Sequence, residues 1–493
     1  MKGLGAVAAS AAVLMLGGAG GAYAADLNTQ GPVLKAPVAG SAVCTSIVDF
    51  FTTACQLAWY GVRFYGTVDV GYGYQTHGAP WNNVYGPGTN YLLGKQNRSA
   101  IWVPSPNGLG QSNIGIQVKE PLGAGWSFVG QLESGFDPYS LNFASGPGAM
   151  HQNIGAPLAA QTSGGDASSN GKFYNSLGYV GVSNDTWGTL TVFRQGSLGA
   201  DGVKAYDPMG GAYAFSVIGY SGAVAGGGDT ENKVATTSVK YRVNYDNFHA
   251  GAFWQFGGFD QGNASQGAYE GDLGADFNVG PGRLSVDAVG GYTKDAVFLS
   301  LGPAAGQPLT APSVLQATIS DNTSAMALAK YTMDKLQLYF GYEWNQFAPP
   351  SDLFTSFNDI AGDQICSGAC AAATGTNINS TAFNNKDKVL QVVWAGARYS
   401  LTDSLDLVGA YYHYDQNQYA TGSTATGCAN KGAASNLACA GTLDAASFLV
   451  DWKFAPKWDT YIGTFFSQMN GGLDAGYLSR NNLATTAGLR FRW

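Results

Sequence analysis

From Trp59 onward the chain alternates apolar and polar residues with a period of two, and nowhere after that does it offer the ~18 consecutive apolar residues that a spanning helix needs. In the stretch from Val62 to Tyr72, Val62, Phe64, Val68, Val70 and Tyr72 share one face, while Arg63, Tyr65, Thr67 and Asp69 share the other. Successive side chains of a strand point to opposite faces, so this pattern is a strand with one apolar and one polar side. The pattern recurs down the chain. Ile114, Ile116 and Val118 oppose Asn113, Gln117 and Lys119, and Val239, Tyr241 and Val243 oppose Ser238, Lys240 and Arg242. Leu284, Val286 and Ala288 oppose Ser285 and Asp287, and Leu336, Leu338 and Phe340 oppose Gln337 and Tyr339. Val408, Ala410 and Tyr412 oppose Gly409, Tyr411 and His413, and Leu489, Phe491 and Trp493 oppose Arg490 and Arg492. Strands that enter a membrane must close on themselves, because only helices and closed barrels satisfy every backbone donor and acceptor in hydrocarbon.

Composition fits a membrane barrel, and the apolar stripe and terminal Trp493 argue against a soluble secreted β-sandwich. The chain holds 70 Gly, 27 Tyr, 25 Phe and 11 Trp, with 12% charged residues. Average Gly usage is about 7%, roughly half of what is present here. The Tyr and Trp excess suits aromatic girdles at two interfaces, and the low charge suits strands with a lipid-facing side. The expectation is an all-β, transmembrane antiparallel β-barrel over 60–493, its apolar stripe toward lipid and its polar stripe toward a lumen. Long Gly/Ala/Ser/Thr/Asn-rich stretches at 300–325, 349–388 and 415–446 read as loops, and Tyr245-Asp246-Asn247 as a short turn. The net charge of −8 argues against nucleic acid as a partner.

Lys2 precedes an apolar run from Leu4 to Ala19, followed by Ala22-Tyr23-Ala24. This is the layout of a secretory signal peptide, residues 1–24, with an uncleaved anchor as the weaker alternative. Residues 25–59 do not alternate and read as an N-terminal periplasmic extension. Within it Ile47, Phe50, Phe51, Ala54 and Leu57 recur at helical spacing. Packing of that turn against the periplasmic rim is favoured over a narrowing of the pore entrance. Six cysteines fall in three local pairs, Cys44/Cys55, Cys366/Cys370 and Cys428/Cys439. An exported chain meets an oxidising compartment, so three local disulfides are expected, although sequence does not fix connectivity. Zinc would need histidines at ligand spacing, and none stands near these pairs.

Catalytic patterns are missing. His77, His151, His249 and His413 are far apart, none begins an H-E-x-x-H pattern, and no G-x-S-x-G elbow leads from a strand into a helix. His413 and Asp415 share a strand face, which is too little to call a metal site. The expectation is no enzyme, no metal and no cofactor.

Several segments, in order, resemble the general (non-specific) porins of Gram-negative outer membranes. Phe64-Tyr65-Gly66-Thr67-Val68-Asp69-Val70-Gly71 resembles the family's first strand, and Gln131-Leu132-Glu133-Ser134-Gly135-Phe136 a family hexapeptide. Tyr179 to Ser183, followed by Trp187 to Gln195, is similar to the next hairpin. Ser238-Val239-Lys240-Tyr241 resembles a later strand, and Gly488 to Trp493 the terminal one. The match is best from about 60 to 290 and at the C-terminus. The resemblance implies 16 strands, a homotrimer in lipid and lipopolysaccharide, and passive passage of ions and small hydrophilic solutes. The alternative is a channel selective for sugars or small organic acids, with Tyr206, Tyr213, Phe215 and Tyr220 as an aromatic track. The resemblance also implies an inward-folded constriction loop, about 195–229, carrying Asp201, Lys204 and Asp207. Its carboxylates would face a basic wall across an aqueous gap and set up a transverse field. Wall candidates are Arg63, Asp69, Lys119, Glu133, Arg194, Lys240 and Arg242. The chain departs from the family at Asn113 and Ser176, where relatives often carry arginine. With the negative net charge, that thinner basic wall leans toward cation preference.

Overall fold

The computed structural model describes residues 43–77, 99–141, 176–218, 234–256, 267–303, 313–349, 356–358, 364–367, 378–381, 386–419, 438–474 and 479–493. Among them, sixteen strands close into one antiparallel barrel. In chain order these are β1 (Val62–Gln75), β2 (Asn113–Gly123), β3 (Trp126–Gly135), β4 (Leu177–Asn184), β5 (Gly188–Gly196), β6 (Val234–Tyr245), β7 (Phe248–Phe256) and β8 (Gly267–Val279). They continue as β9 (Gly282–Pro303), β10 (Ser313–Met333), β11 (Leu336–Ala348), β12 (Lys388–Thr402), β13 (Leu405–Gln416), β14 (Gly441–Ala455), β15 (Trp458–Gly471) and β16 (Asn481–Arg492). β16 returns to β1 in a register running from Thr67↔Arg492 to Gln75↔Ala484, which leaves the sheet no open edge.

One end of the barrel is made of tight turns. Asp246 and Asp334 take positive φ of 54° and 48° at the β6–β7 and β10–β11 turns, a conformation that Asp tolerates. At the other end, strands are joined by much longer segments. In barrels of this kind the short turns are periplasmic and the long loops extracellular.

Strand length varies around the wall. β4 and β5 have 8 and 9 residues, whereas β9 and β10 have 22 and 21. About 9–11 tilted residues cross the hydrocarbon, so the β9–β10 ribbon runs far beyond the bilayer. This corrects the expectation of a loop over 300–325. Much of that stretch is paired strand, from Val297↔Ile319 to Pro303↔Ser313.

The lipid face carries Phe64, Tyr72, Ile114, Leu338, Phe340 and Ile462, all exposed, as alternation predicts. β13 is a second correction. Its apolar stripe, Val408, Ala410 and Tyr412, faces inward and is buried, while Tyr411 is on the outside. The inner wall is apolar there because a chain segment covers it.

Helix α1 (Ile47–Thr52) forms where the helical spacing predicts it, with Ser46 as N-cap. It lies at the short-turn rim. Lys457 Nζ donates to Phe50 O at 2.9 Å, and Trp458 Nε1 donates to Phe51 O at 3.0 Å. The Phe50 and Phe51 rings meet Phe491 at 5.5 and 5.4 Å. Cys44 and Cys55 form a disulfide that closes this segment. Cys439 is disulfide-bonded as well. Cys366 is described in its backbone only, and Cys370 and Cys428 lie outside the described residues.

Candidate functional site

After β5 the chain turns into the barrel rather than away from it. Helix α2 (Leu198–Tyr206) starts with Ser197, whose Oγ accepts from Ala200 N at 3.1 Å. A Glu270 carboxylate oxygen on β8 accepts from Leu198 N at 2.6 Å and Gly199 N at 3.1 Å. First-turn amides have no partner within their helix, so this wall carboxylate satisfies two of them and meets the positive end of the helix dipole. At the other end of α2, Trp394 Nε1 on β12 donates to Tyr206 O at 3.0 Å.

Asp207 then organises a turn. Its carboxylate accepts from Gly211 N at 2.7 Å, Met209 N at 3.2 Å and the Tyr412 hydroxyl at 2.8 Å. Gly210 and Gly211 take φ of 63° and 76°, which side chains other than hydrogen rarely permit. Burial pushes the Asp207 carboxyl above its usual range, against the donors of Ser216, Gly211, Tyr412 and Met209, which pull it down. Beyond the turn, Met209, Phe215, Val217 and Ile218 are fully buried in a core completed by inner-wall residues such as Leu449 and Phe465. Phe215 meets Tyr461 edge-on at 6.0 Å. Two wall glycines admit the segment. A Cβ on Gly396 would lie 2.5 Å from Pro208 Cγ, and one on Gly463 would lie 2.5 Å from the Phe215 ring.

The inward segment thus leans on the apolar wall and leaves the polar half of the lumen open. A cavity of about 840 Å³ remains there, lined on one side by Arg63, Tyr65 and Glu133 and on the other by Asp201, Lys204 and Tyr213. Asp201 Oδ2 sits 2.8 Å from both Lys240 Nζ and Arg242 NH2, and Arg242 NH1 is 3.4 Å from Asp272 Oδ2. Glu133 accepts from the Tyr65 hydroxyl at 2.8 Å and from Ser176 Oγ. Gln131 bridges Tyr65 and Tyr179 at 2.6 and 2.7 Å.

The candidate residues therefore fall into distinct places. Asp201, Lys204, Arg63, Glu133, Lys240 and Arg242 line one cavity, and Asn113 and Ser176 line it too. Asp201 touches its basic partners directly, so no aqueous gap separates them. Asp207 is enclosed by the turn it organises. Asp69 is likewise enclosed. Its carboxylate accepts from Leu109 N at 2.8 Å, Gly110 N at 3.2 Å and the Tyr461 hydroxyl at 2.6 Å. It thereby pins a second inward strand of chain, which Ala214 N joins through Gly108 O at 2.9 Å. Arg194 Nε donates to Ser176 O at 3.1 Å. Lys119 lies on the inner face near the β2–β3 turn, away from the cavity lining. His413 is held by Asp444, 2.8 Å away, rather than by Asp415.

Glu270, Trp394, Tyr412 and Tyr461 are the positioning residues that the sequence did not reveal. Alternation of Ala268, Glu270 and Asp272 against Tyr269, Gly271 and Leu273 carried enough signal to place Glu270 inside. The three aromatics carried none, since a girdle ring and a ring beneath an inward segment look alike in sequence.

A closed sixteen-stranded barrel with tight turns at one end, long connections at the other and a polar cavity inside is an outer-membrane channel. The sequence profile of the Gram-negative porins matches residues 6–436, and the chain belongs to that family. Among solved structures, it is similar to an anion-selective porin from Comamonas acidovorans at 13% identity and a TM-score of 0.53, covering 88% of this chain and 99% of that one. It is also similar to in-vitro folded OmpT, an outer membrane protein of Vibrio cholerae, at 14% identity and a TM-score of 0.52, covering 89% of this chain and 99% of that one. At these identities the likeness is one of fold. No curated protein matches by sequence. The protein is an outer-membrane channel for passive diffusion.

Proposed function

We propose that the protein is a general diffusion pore, a homotrimer set in lipid and lipopolysaccharide, that passes ions and small hydrophilic solutes without a dedicated binding site. In this reading residues 1–24 are a cleaved signal peptide, 25–59 a periplasmic extension, and 195–229 the constriction loop of the barrel over 60–493. Asp201 and Lys204 are its cavity-facing charges, and Asp207 holds its shape. The observation that carries the proposal is the polar cavity of about 840 Å³ left open beside the inward segment. Charged and hydroxyl groups line it, which suits hydrated solutes of many kinds.

Of the four rings that would form an aromatic track for sugars, Tyr213 lines the cavity. Tyr206 and Phe215 are buried at 3% and 0% exposure and are not in its lining, and Tyr220 lies outside the described residues. The low wall supports assembly. β4 and β5 reach only the bottom of the length needed to cross a bilayer. Their outer face is apolar, with Val180 and Leu190 exposed, and a neighbouring copy would shield it.

Planar-bilayer recording of the purified protein, paired with liposome swelling in sugars of rising size, tests this. Conductance steps in groups of three, with flux falling smoothly as solute size rises, are expected. Saturable flux confined to one sugar class would overturn the non-specific reading.

A further inference from the structure

We propose that the disulfide-closed segment Cys44–Cys55 assembles a basic collar of Arg63, Lys457 and Arg492 at the periplasmic mouth of the lumen, and that this collar makes the pore prefer small anions. The inference rests on the channel reading above and names the solute class it favours.

The collar is built by contacts on one small stretch of the rim. Leu57–Trp59, just past Cys55, pairs with the start of β1 and sets Ala58 opposite Arg63. Lys457, in the β14–β15 turn, donates to Phe50 O at 2.9 Å and stands over the Phe50 ring at 4.7 Å. Its ammonium also lies 3.8 and 3.9 Å from the two sulfurs of the disulfide. Arg492 N donates to Lys457 O at 2.9 Å. Arg63, Lys457 and Arg492 all line the cavity described above, beside Cys55 and Gln56.

What matters for ions is which of the lining charges are already answered. Deeper in the cavity, Lys240 and Arg242 are answered by Asp201 and Asp272. Asp287 is paired with His249, and the charge of Lys204 reaches Glu133. The collar differs. Among the described residues, neither Arg63 nor Lys457 has a carboxylate within ion-pair distance. Arg492 shares Asp459 with Arg490 at 2.8 Å, and the buried Asp451 answers the same two arginines, so the surplus charge of the collar is that of Arg63 and Lys457. Burial, and then the like charge of Arg63, pulls the Lys457 ammonium below its usual range, as a cation beside an unanswered cation should be. Arg63 and Lys457 thus bring two cationic charges to the mouth that no carboxylate answers among the described residues, although the chain as a whole carries −8. Fields at a narrow mouth with low-dielectric walls act on ions far more than charges dispersed over the outer surface. Local lining thus reverses the cation preference expected from net charge.

The test is the reversal potential of the full mature chain in planar bilayers under a dilute KCl gradient. A wild-type potential of the sign for chloride permeation is expected. Arg63→Gln and Lys457→Met should each lower the chloride-to-potassium permeability ratio by between about twofold and tenfold, the effect of one charge several ångströms from the path. The Cys44→Ser/Cys55→Ser pair should move it the same way, because Lys457 loses its seat. Wild-type protein needs no substitution for a further check. At 1 M salt, where screening acts over about 3 Å, its selectivity should collapse toward that of free ions. A potassium-preferring wild type, or conducting collar variants with an unmoved reversal potential, would overturn the collar. A cysteine pair with unmoved selectivity would remove the stapled segment from it. Folded protein that never conducts would instead overturn the channel reading beneath.

Discussion

The hydroxyl of Tyr412 on β13 donates to Oδ1 of Asp207 at 2.8 Å, joining residues 205 positions apart at the point where the inward segment reverses. Both groups are buried, at 0% and 2% exposure, so the bond is made where water cannot replace it. Tyr412→Phe should leave Asp207 one donor short, a cost of about 1–3 kcal/mol. Strand content should be unchanged, because the lost bond belongs to the inward segment and not to the sheet. Single-channel recording should show added current noise and brief substates as the turn loosens. A variant current as quiet as that of the wild type would show that Asp207 needs no anchor on the wall.

Glu270 offers a second handle on the same segment. Glu270→Ala orphans the Leu198 and Gly199 amides at the start of α2, and a lost N-terminal cap costs about 1 kcal/mol. Hydrogen exchange at these two amides should quicken about fivefold, while exchange in β8 stays slow. Equal exchange in the two proteins would mean that Ser197 caps the helix alone.

Asp201 stands between Lys240 and Arg242, with Lys240 only 2% exposed. Asp201→Asn removes the charge that answers them. Stranding one member of a buried pair costs about 3–5 kcal/mol, so the denaturant midpoint should fall. Adding Lys240→Met should restore much of the loss, since the stranded cation goes with it. A double variant no more stable than the single would show that Arg242, not Lys240, bears the cost.

Reduction of the Cys44–Cys55 bridge should act locally. A loop of this size is held by roughly 2–3 kcal/mol of chain entropy, and the segment lies outside the barrel's hydrogen-bonded ladder. After reduction, a protease should cut within 44–55, and the barrel's melting temperature should hold. A barrel that melts with the bridge would mean that α1 is part of its cooperative core.

Most of the wall was legible in sequence, and the reason is lipid. Where hydrocarbon lies outside and water inside, as along Phe64/Tyr65 or Leu338/Tyr339, alternation has a single meaning. It fails where the environment changes. Val408, Ala410 and Tyr412 keep the period but invert its direction, because the inward segment makes the lumen side apolar. Residues 313–319 read as loop because of the small and polar residues around them, yet their backbone pairs with β9. At the site, the inward loop with Asp201 and Asp207 was placed by the resemblance to the porin family and not by its residues alone. What Asp69 and Asp207 hold could not be read. Their partners Tyr461 and Tyr412 lie in distant strands, and nothing in a lone tyrosine says whether its hydroxyl meets lipid headgroups or a buried carboxylate.

The closure of β1 on β16 also dictates the order of assembly. β1 meets β2 along its first half and Ile101–Pro104 along its second, but from Thr67 to Gln75 its other edge stays bare until β16 arrives. From synthesis until that moment, a row of amides and carbonyls is available to any passing strand. Such a chain gains little by folding piecemeal in the periplasm. Its first strand has to be kept shielded, by a holding protein or by the membrane machinery itself, until the last one is delivered to it.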